Sequence, residues 1–119
     1  MYNKRTIGKE FEEKAVEYLK LQGYKIIKTN FQCRTGEIDI IAKQDRYLIF
    51  IEVKYRINSA KGMPHEAIDL RKIKKISRTA EYYMLINNIS METPCRFDVV
   101  LILDQEITLI QDAFQAHFY

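Results

Sequence analysis

The stretch GEIDIIAKQDRYLIFIEVKYR, from Gly36 to Arg56, constrains the fold of this chain more than any other. Its two runs, Glu37 to Ala42 and Tyr47 to Tyr55, are rich in the β-branched and aromatic residues that favour strands, and KQDR between them reads as a tight turn. Glu37, Asp39, Glu52 and Lys54 interrupt this apolar setting. Charged side chains are seldom fully buried unless paired or bound to a metal. A two-residue turn at Gln44–Asp45 or Asp45–Arg46, or a four-residue loop Lys43–Arg46, leaves two antiparallel registers. One sets Asp39 opposite Phe50 and Glu37 opposite Glu52; the other sets Asp39 opposite Glu52. Because side chains alternate with period two, either register places all four charges on one face. Asp39 and Glu52 are then cross-strand neighbours at roughly 5–8 Å. Like charges so placed destabilise a sheet. Either a hard divalent cation offsets the repulsion, or Lys54 and nearby arginines pair with the acids.

Elsewhere the pattern is regular. Thr6 to Gln22 has helical apolar spacing through Ile7, Phe11, Ala15, Tyr18 and Leu19, with Gly23 as a stop. Glu12 falls within that apolar stripe, whereas Glu10, Glu13 and Glu17 fall opposite. It either reaches water at the rim or joins Asp39 and Glu52 as a further acid of a metal site, because an unpartnered core-facing carboxylate is costly. YKIIKTNF reads as a strand, completing a three-strand meander with the two runs above. A polar loop, NSAKGMP, precedes a long helix from Glu66 to about Ile86, with Ala67, Leu70, Ile73, Ile76, Ala80, Tyr83 and Met84 on its apolar side. RFDVVLIL is nearly continuously apolar, as a strand buried on both faces would be. EITLI follows a turn at Asp104–Gln105, and a short C-terminal helix is expected after it. The order α-β-β-β-α-β-β predicts a mixed sheet flanked by helices, an α/β (α+β) fold.

The long helix carries Arg71, Lys72, Lys74, Lys75 and Arg78, and KYR at 54–56 lies near them in sequence. Such clusters neutralise phosphates; equally, they can form a solvated helix face. His65, after Pro64, reads as a capping or surface residue, and Tyr82, Tyr83, Phe97, Phe114 and Phe118 read as core. Cys33 and Cys95 lack metal-site spacing and read as reduced thiols. With 119 residues, 47% hydrophobic, 29% charged and a net charge of +3, the chain is expected to be one cytoplasmic domain spanning residues 1–119. The N-terminus has no signal-like apolar run, and nothing approaches the ~18 apolar residues of a membrane span.

GEIDIIA followed by IFIEVKYR has the form Asp-x12-Glu-x-Lys and resembles the half-buried core of the PD-(D/E)XK nucleases. GKEFEEKAVEYLKLQGYKIIKTNF before it resembles the opening of archaeal-type Holliday junction resolvases in that superfamily. The whole pattern is most similar to the YraN-like family of predicted endonucleases, over about residues 6 to 116. Glu12 three residues before Ala15, the helical set Lys72, Ile76, Ala80 and Tyr83, and RFDVV at Arg96–Val100 carry that resemblance. Ile38 stands where the superfamily name has a proline.

The resemblance implies a restriction-endonuclease-like fold and a metal-dependent endonuclease hydrolysing phosphodiester bonds of DNA, such as branched or repair intermediates. Asp39 and Glu52 would be the primary Mg²⁺ or Mn²⁺ ligands, with Glu12 and the Val53 carbonyl contributing. Lys54 would position the attacking water and stabilise the transition state. Lys72 is the family-matched DNA contact, joined by Lys75, Arg56 and Arg71. Glu37 either takes part in catalysis or pairs with Arg34 or Arg56. Homodimerisation follows by analogy with the resolvases. Two other readings are a nuclease-fold module that binds nucleic acid without cutting it, and a scaffolding protein on the same fold.

Overall fold

The computed structural model describes residues 4–57 and 69–117, with side chains from Ile7 onward. Its elements run α1 (Lys4–Leu21), β1 (Lys25–Cys33), β2 (Gly36–Gln44), β3 (Tyr47–Arg56), α2 (Leu70–Ile86), β4 (Cys95–Leu103) and β5 (Glu106–Ile110). The five strands form one sheet in chain order, antiparallel at every pairing except β3–β4, which is parallel. A parallel pair needs a crossover connection, and the segment containing α2 supplies it. The α-β-β-β-α-β-β order and the helix-flanked mixed sheet expected from sequence are both present.

Each helix covers one face of the sheet. Phe11, Ala15 and Leu19 of α1, at four-residue spacing, pack on Ile40, Ala42, Ile49, Ile51, Val100 and Ile102. Ile76, Ala80, Tyr83 and Met84 of α2 pack on Ile41, Leu48, Phe50 and Phe97 from the opposite side. β3 and β4 lie inside both clusters, which is why their sequences are so continuously apolar. Beyond Leu21 the helix is closed off by Gly23, whose φ of 92° suits glycine. Asp45 and Asp104 open the two-residue β2–β3 and β4–β5 turns at φ 55° and 56°, a left-handed conformation that short Asp side chains tolerate.

At the end of the sheet where β4 begins, Asp98 is fully buried and fully satisfied. Arg96 grips it through Nε–Oδ1 and Nη2–Oδ2, both at 2.9 Å. The Tyr24 hydroxyl donates to Oδ2 at 2.6 Å and the Asp112 amide to Oδ1 at 2.9 Å. This network ties β1's entry and the chain after β5 to the central strand.

The structure corrects several expectations. α2 begins at Leu70, because Asp69 is its N-cap, in extended conformation and accepting the Lys72 amide at 3.0 Å. Glu66 and Ala67, His65 and the NSAKGMP loop lie outside the described residues, as does Phe118. Leu70 is mostly exposed rather than apolar-side, and Tyr82 is also exposed. No C-terminal helix forms over residues 111–117. The amides of Asp112, Ala113 and His117 are taken by Asp98 Oδ1, the Phe97 carbonyl and Ser77 Oγ, so they are unavailable for helical bonds. Cys33 and Cys95 are free thiols. No helix among the described residues is long and apolar enough to cross a membrane.

Candidate active site

The β2–β3 hairpin adopts the second register, with Gln44 opposite Tyr47, a two-residue turn, and Ile40 opposite Ile51. Continuing it by one residue sets Asp39 opposite Glu52. There, however, the backbone ladder stops. The Val53 amide donates instead to Asp39 Oδ2 at 2.8 Å, so a carboxylate replaces the carbonyl a neighbouring strand would supply. β2 also turns over at this point: Ile38 packs with Phe31 in the α2-side cluster, whereas Ile40, two residues on, packs in the α1-side cluster.

The single-face expectation for the four charges is corrected accordingly. Asp39 and Glu37 border a cleft of about 660 Å³ under α1, with Gly8, Lys9, Glu12, Asn30, Gln32, Val53 and Tyr55 as its other walls. Glu52 and Lys54 alternate with Val53 and continue the Leu48–Phe50 row that packs toward α2. Asp39 stands at the parting between the two sides, and its charge is felt by both Glu52 and Glu12.

Glu52 is the exceptional residue. It is only 6% exposed, and its Oε1 has no hydrogen-bond partner. Burial first, and the Asp39 charge second, push its carboxyl up to about 8, with Lys72 and Lys54 acting in the opposite sense. Asp39 is also raised, by burial, despite the Val53 amide. Glu12, half-buried, is raised to about 7 by burial and by Asp39 and Glu37. Lys54 is lowered, by burial and then by the close approach of the Lys72 ammonium, which outweigh Glu52 and Asp39. Two acids and two lysines thus share one half-buried space, held by β2, β3 and α2.

Lys72 therefore sits within the acid–lysine cluster, while Arg71 and Lys75 are exposed on the next faces of α2. Arg56 is exposed at the end of β3. Glu37 makes neither expected ion pair with Arg34 or Arg56; it accepts a hydrogen bond from Gln32 at 3.2 Å. Among the described residues, no three Asp, Glu, His or Cys side chains converge closely enough to hold a common ion. A cation held here would draw on the Asp39–Glu52 pair and backbone oxygens, with Glu12 flanking them. That suits Mg²⁺, which keeps several waters and uses one or two carboxylates plus substrate phosphates. Sequence reasoning missed Asn30 and Gln32 as cleft walls. Gln32 pairs with Glu37 across β1–β2, a signal available only once that register is known.

The fold and this cluster define a small mixed α/β protein with acids and lysines gathered where two antiparallel strands part. The chain belongs to the uncharacterised protein family UPF0102, whose model matches residues 11–102. A UPF0102 protein of Lachnoclostridium phytofermentans is 51% identical over 97% of this chain and 98% of its own length. Relatives with the same family description from Persephonella marina and Fusobacterium nucleatum are 41% and 44% identical, over 93% and 92% of this chain and 95% and 92% of their own lengths.

Proposed function

We propose that this protein is a metal-dependent endonuclease that hydrolyses DNA phosphodiester bonds, as its resemblance to the PD-(D/E)XK superfamily implies. The observation that carries the reading is Glu52: a buried carboxylate with an oxygen lacking any partner, beside a second, half-buried acid and two lysines. A purely structural site would leave that group unsatisfied at a cost of about 1–3 kcal/mol or more. Asp39, Glu52 and the Val53 carbonyl would hold Mg²⁺ or Mn²⁺, which when bound activates water and neutralises charge on the phosphate. Lys54, two residues from Glu52, orients the attacking water and donates to a non-bridging phosphate oxygen. Lys72 places a second ammonium at the same phosphate. Glu12 adds a proton-carrying group at the cleft wall.

The pairing of only two side-chain acids favours one other reading, a nucleic-acid-binding module that does not cut. Labelled duplex, single-stranded and branched DNAs, incubated with Mg²⁺ and with Mn²⁺, decide between them when Asp39→Asn is run alongside. Cleavage by the wild type and none by the variant supports the nuclease. Binding without cleavage of any substrate in either metal makes the binding module the answer.

A further inference from the structure

The β1–β2 turn, Arg34–Thr35, is fastened to α2. Thr35 Oγ1 lies 3.0 Å from Thr79 Oγ1, and Thr79, fully buried, donates to the Lys75 carbonyl at 2.8 Å. Gly36 lies so close that a Cβ there would sit 3.3 Å from Thr79 Oγ1, and its φ of 149° independently requires glycine. The turn is thus held at a fixed place along α2, carrying Arg34 exposed beside the helix.

That place follows from helix geometry. At 1.5 Å per residue, Lys75 is about 4.5 Å and Thr79 about 10 Å along α2 from Lys72. At roughly 100° per residue, Lys72, Lys75 and Thr79 occupy one flank of the helix. The turn that carries Arg34 is therefore anchored at Thr79, on the stretch of α2 that bears Lys72 and Lys75.

Lys72 faces the acids of the cluster, but Lys75 and Arg34 have no acid partner among the described residues. The only ion pairs among the described residues are Lys20–Glu17 and Arg96–Asp98. Glu81, three residues after Arg78, does not bridge to it, and Glu37 is hydrogen-bonded to Gln32. A helix face that is merely solvated gains from i,i+4 acid–base pairs; this one has none.

We infer that Lys75 and the turn-borne Arg34 form a phosphate track for duplex DNA leading away from the carboxylate site, an inference that rests on the nuclease reading for its direction. Its length of about 10 Å corresponds to about three nucleotide steps at 3.4 Å per strand. Arg34 is the far clamp, and the threonine contact sets its distance from the cluster.

The test is fluorescence anisotropy of a labelled duplex in EDTA, over a salt series from about 50 to 200 mM. Arg34→Gln should flatten the log K against log salt slope by about 0.9, and Arg34→Gln/Lys75→Gln by about 1.8. Arg46→Gln is the charge-matched control: it removes an exposed cation from the β2–β3 turn at the opposite end of the hairpin, and it should leave the slope unchanged. An unaltered slope in Arg34→Gln, an equal loss in Arg46→Gln, or a wild type with no salt-dependent binding overturns the track. A wild type that binds with this pattern yet never cuts leaves the track standing and removes the nuclease reading alone.

Discussion

Replacing Glu52 by glutamine should stabilise the cation-free protein, and by an amount that grows with pH. The carboxyl titrates near 4.5 in an unfolded chain and at about 8 in the folded one. Between those values the folded protein holds a proton that the unfolded chain has released, so folding stability falls as pH rises. The stabilising contribution of the neutral acid is complete below pH 4.5 and gone above pH 8. Each pKa unit corresponds to about 1.36 kcal/mol, so the interval represents on the order of 4–5 kcal/mol. At only 6% exposure, little of this is relieved by solvent. Glutamine keeps the shape and carries no charge at any pH. Thermal melts in EDTA should show Glu52→Gln close to wild type at pH 5 and higher by roughly 10–20 °C at pH 9, taking about 4 °C per kcal/mol at this chain length. Adding Mn²⁺ at pH 8 should raise the wild-type melting temperature and leave the variant unmoved. Parallel pH profiles for the two proteins would refute the claim that Glu52 is a strained, unpartnered acid.

Lys54→Arg should retain the fold and most DNA affinity while losing about 10²–10³ in cleavage rate, because a planar guanidinium places its donors differently from an ammonium; full activity in the arginine variant would reduce Lys54 to charge balance. Glu12→Gln should lower cleavage and alter its pH profile near neutrality, where Glu12 titrates at about 7, whereas Glu13→Gln, on the exposed side of α1, should leave both unchanged. Arg96→Ala should cost about 3–5 kcal/mol, since it strands the buried Asp98 carboxylate; urea denaturation showing under 1 kcal/mol would contradict the network's role.

What sequence reasoning reached and what it missed divide along local and non-local lines. The hairpin and its strand alternation were legible, because both depend on neighbours in sequence, but the Asp45–Arg46 turn was one of three options the sequence left open, and only the pairing of Gln44 with Tyr47 selects it. The inward phase of Glu12 was legible too, since it follows from helical periodicity alone. The parting of β2 from β3 at Asp39 was not legible. It arises because a side-chain oxygen outcompetes the backbone for the Val53 amide, and no pattern of polarity encodes that competition. Lys72 shows the same limit: its charge was visible, but that it leans toward Glu52 while Lys75 faces solvent depends on how α2 is docked. The start of α2 shifted because Asp69 caps it. The expected terminal helix failed because distant acceptors on Phe97, Asp98 and Ser77 took its amides.

The bond from Val53 to Asp39 turns one backbone resonance into a charge gauge. Its proton senses the electron density of Asp39 Oδ2 directly, whereas amides held by carbonyls elsewhere in β3 do not. Any cation drawing on that carboxylate weakens the bond, so the Val53 proton signal should move upfield and its solvent exchange should quicken while the neighbouring strand signals stay in place. Occupancy could then be followed at a single labelled valine, with no substrate present and no turnover required.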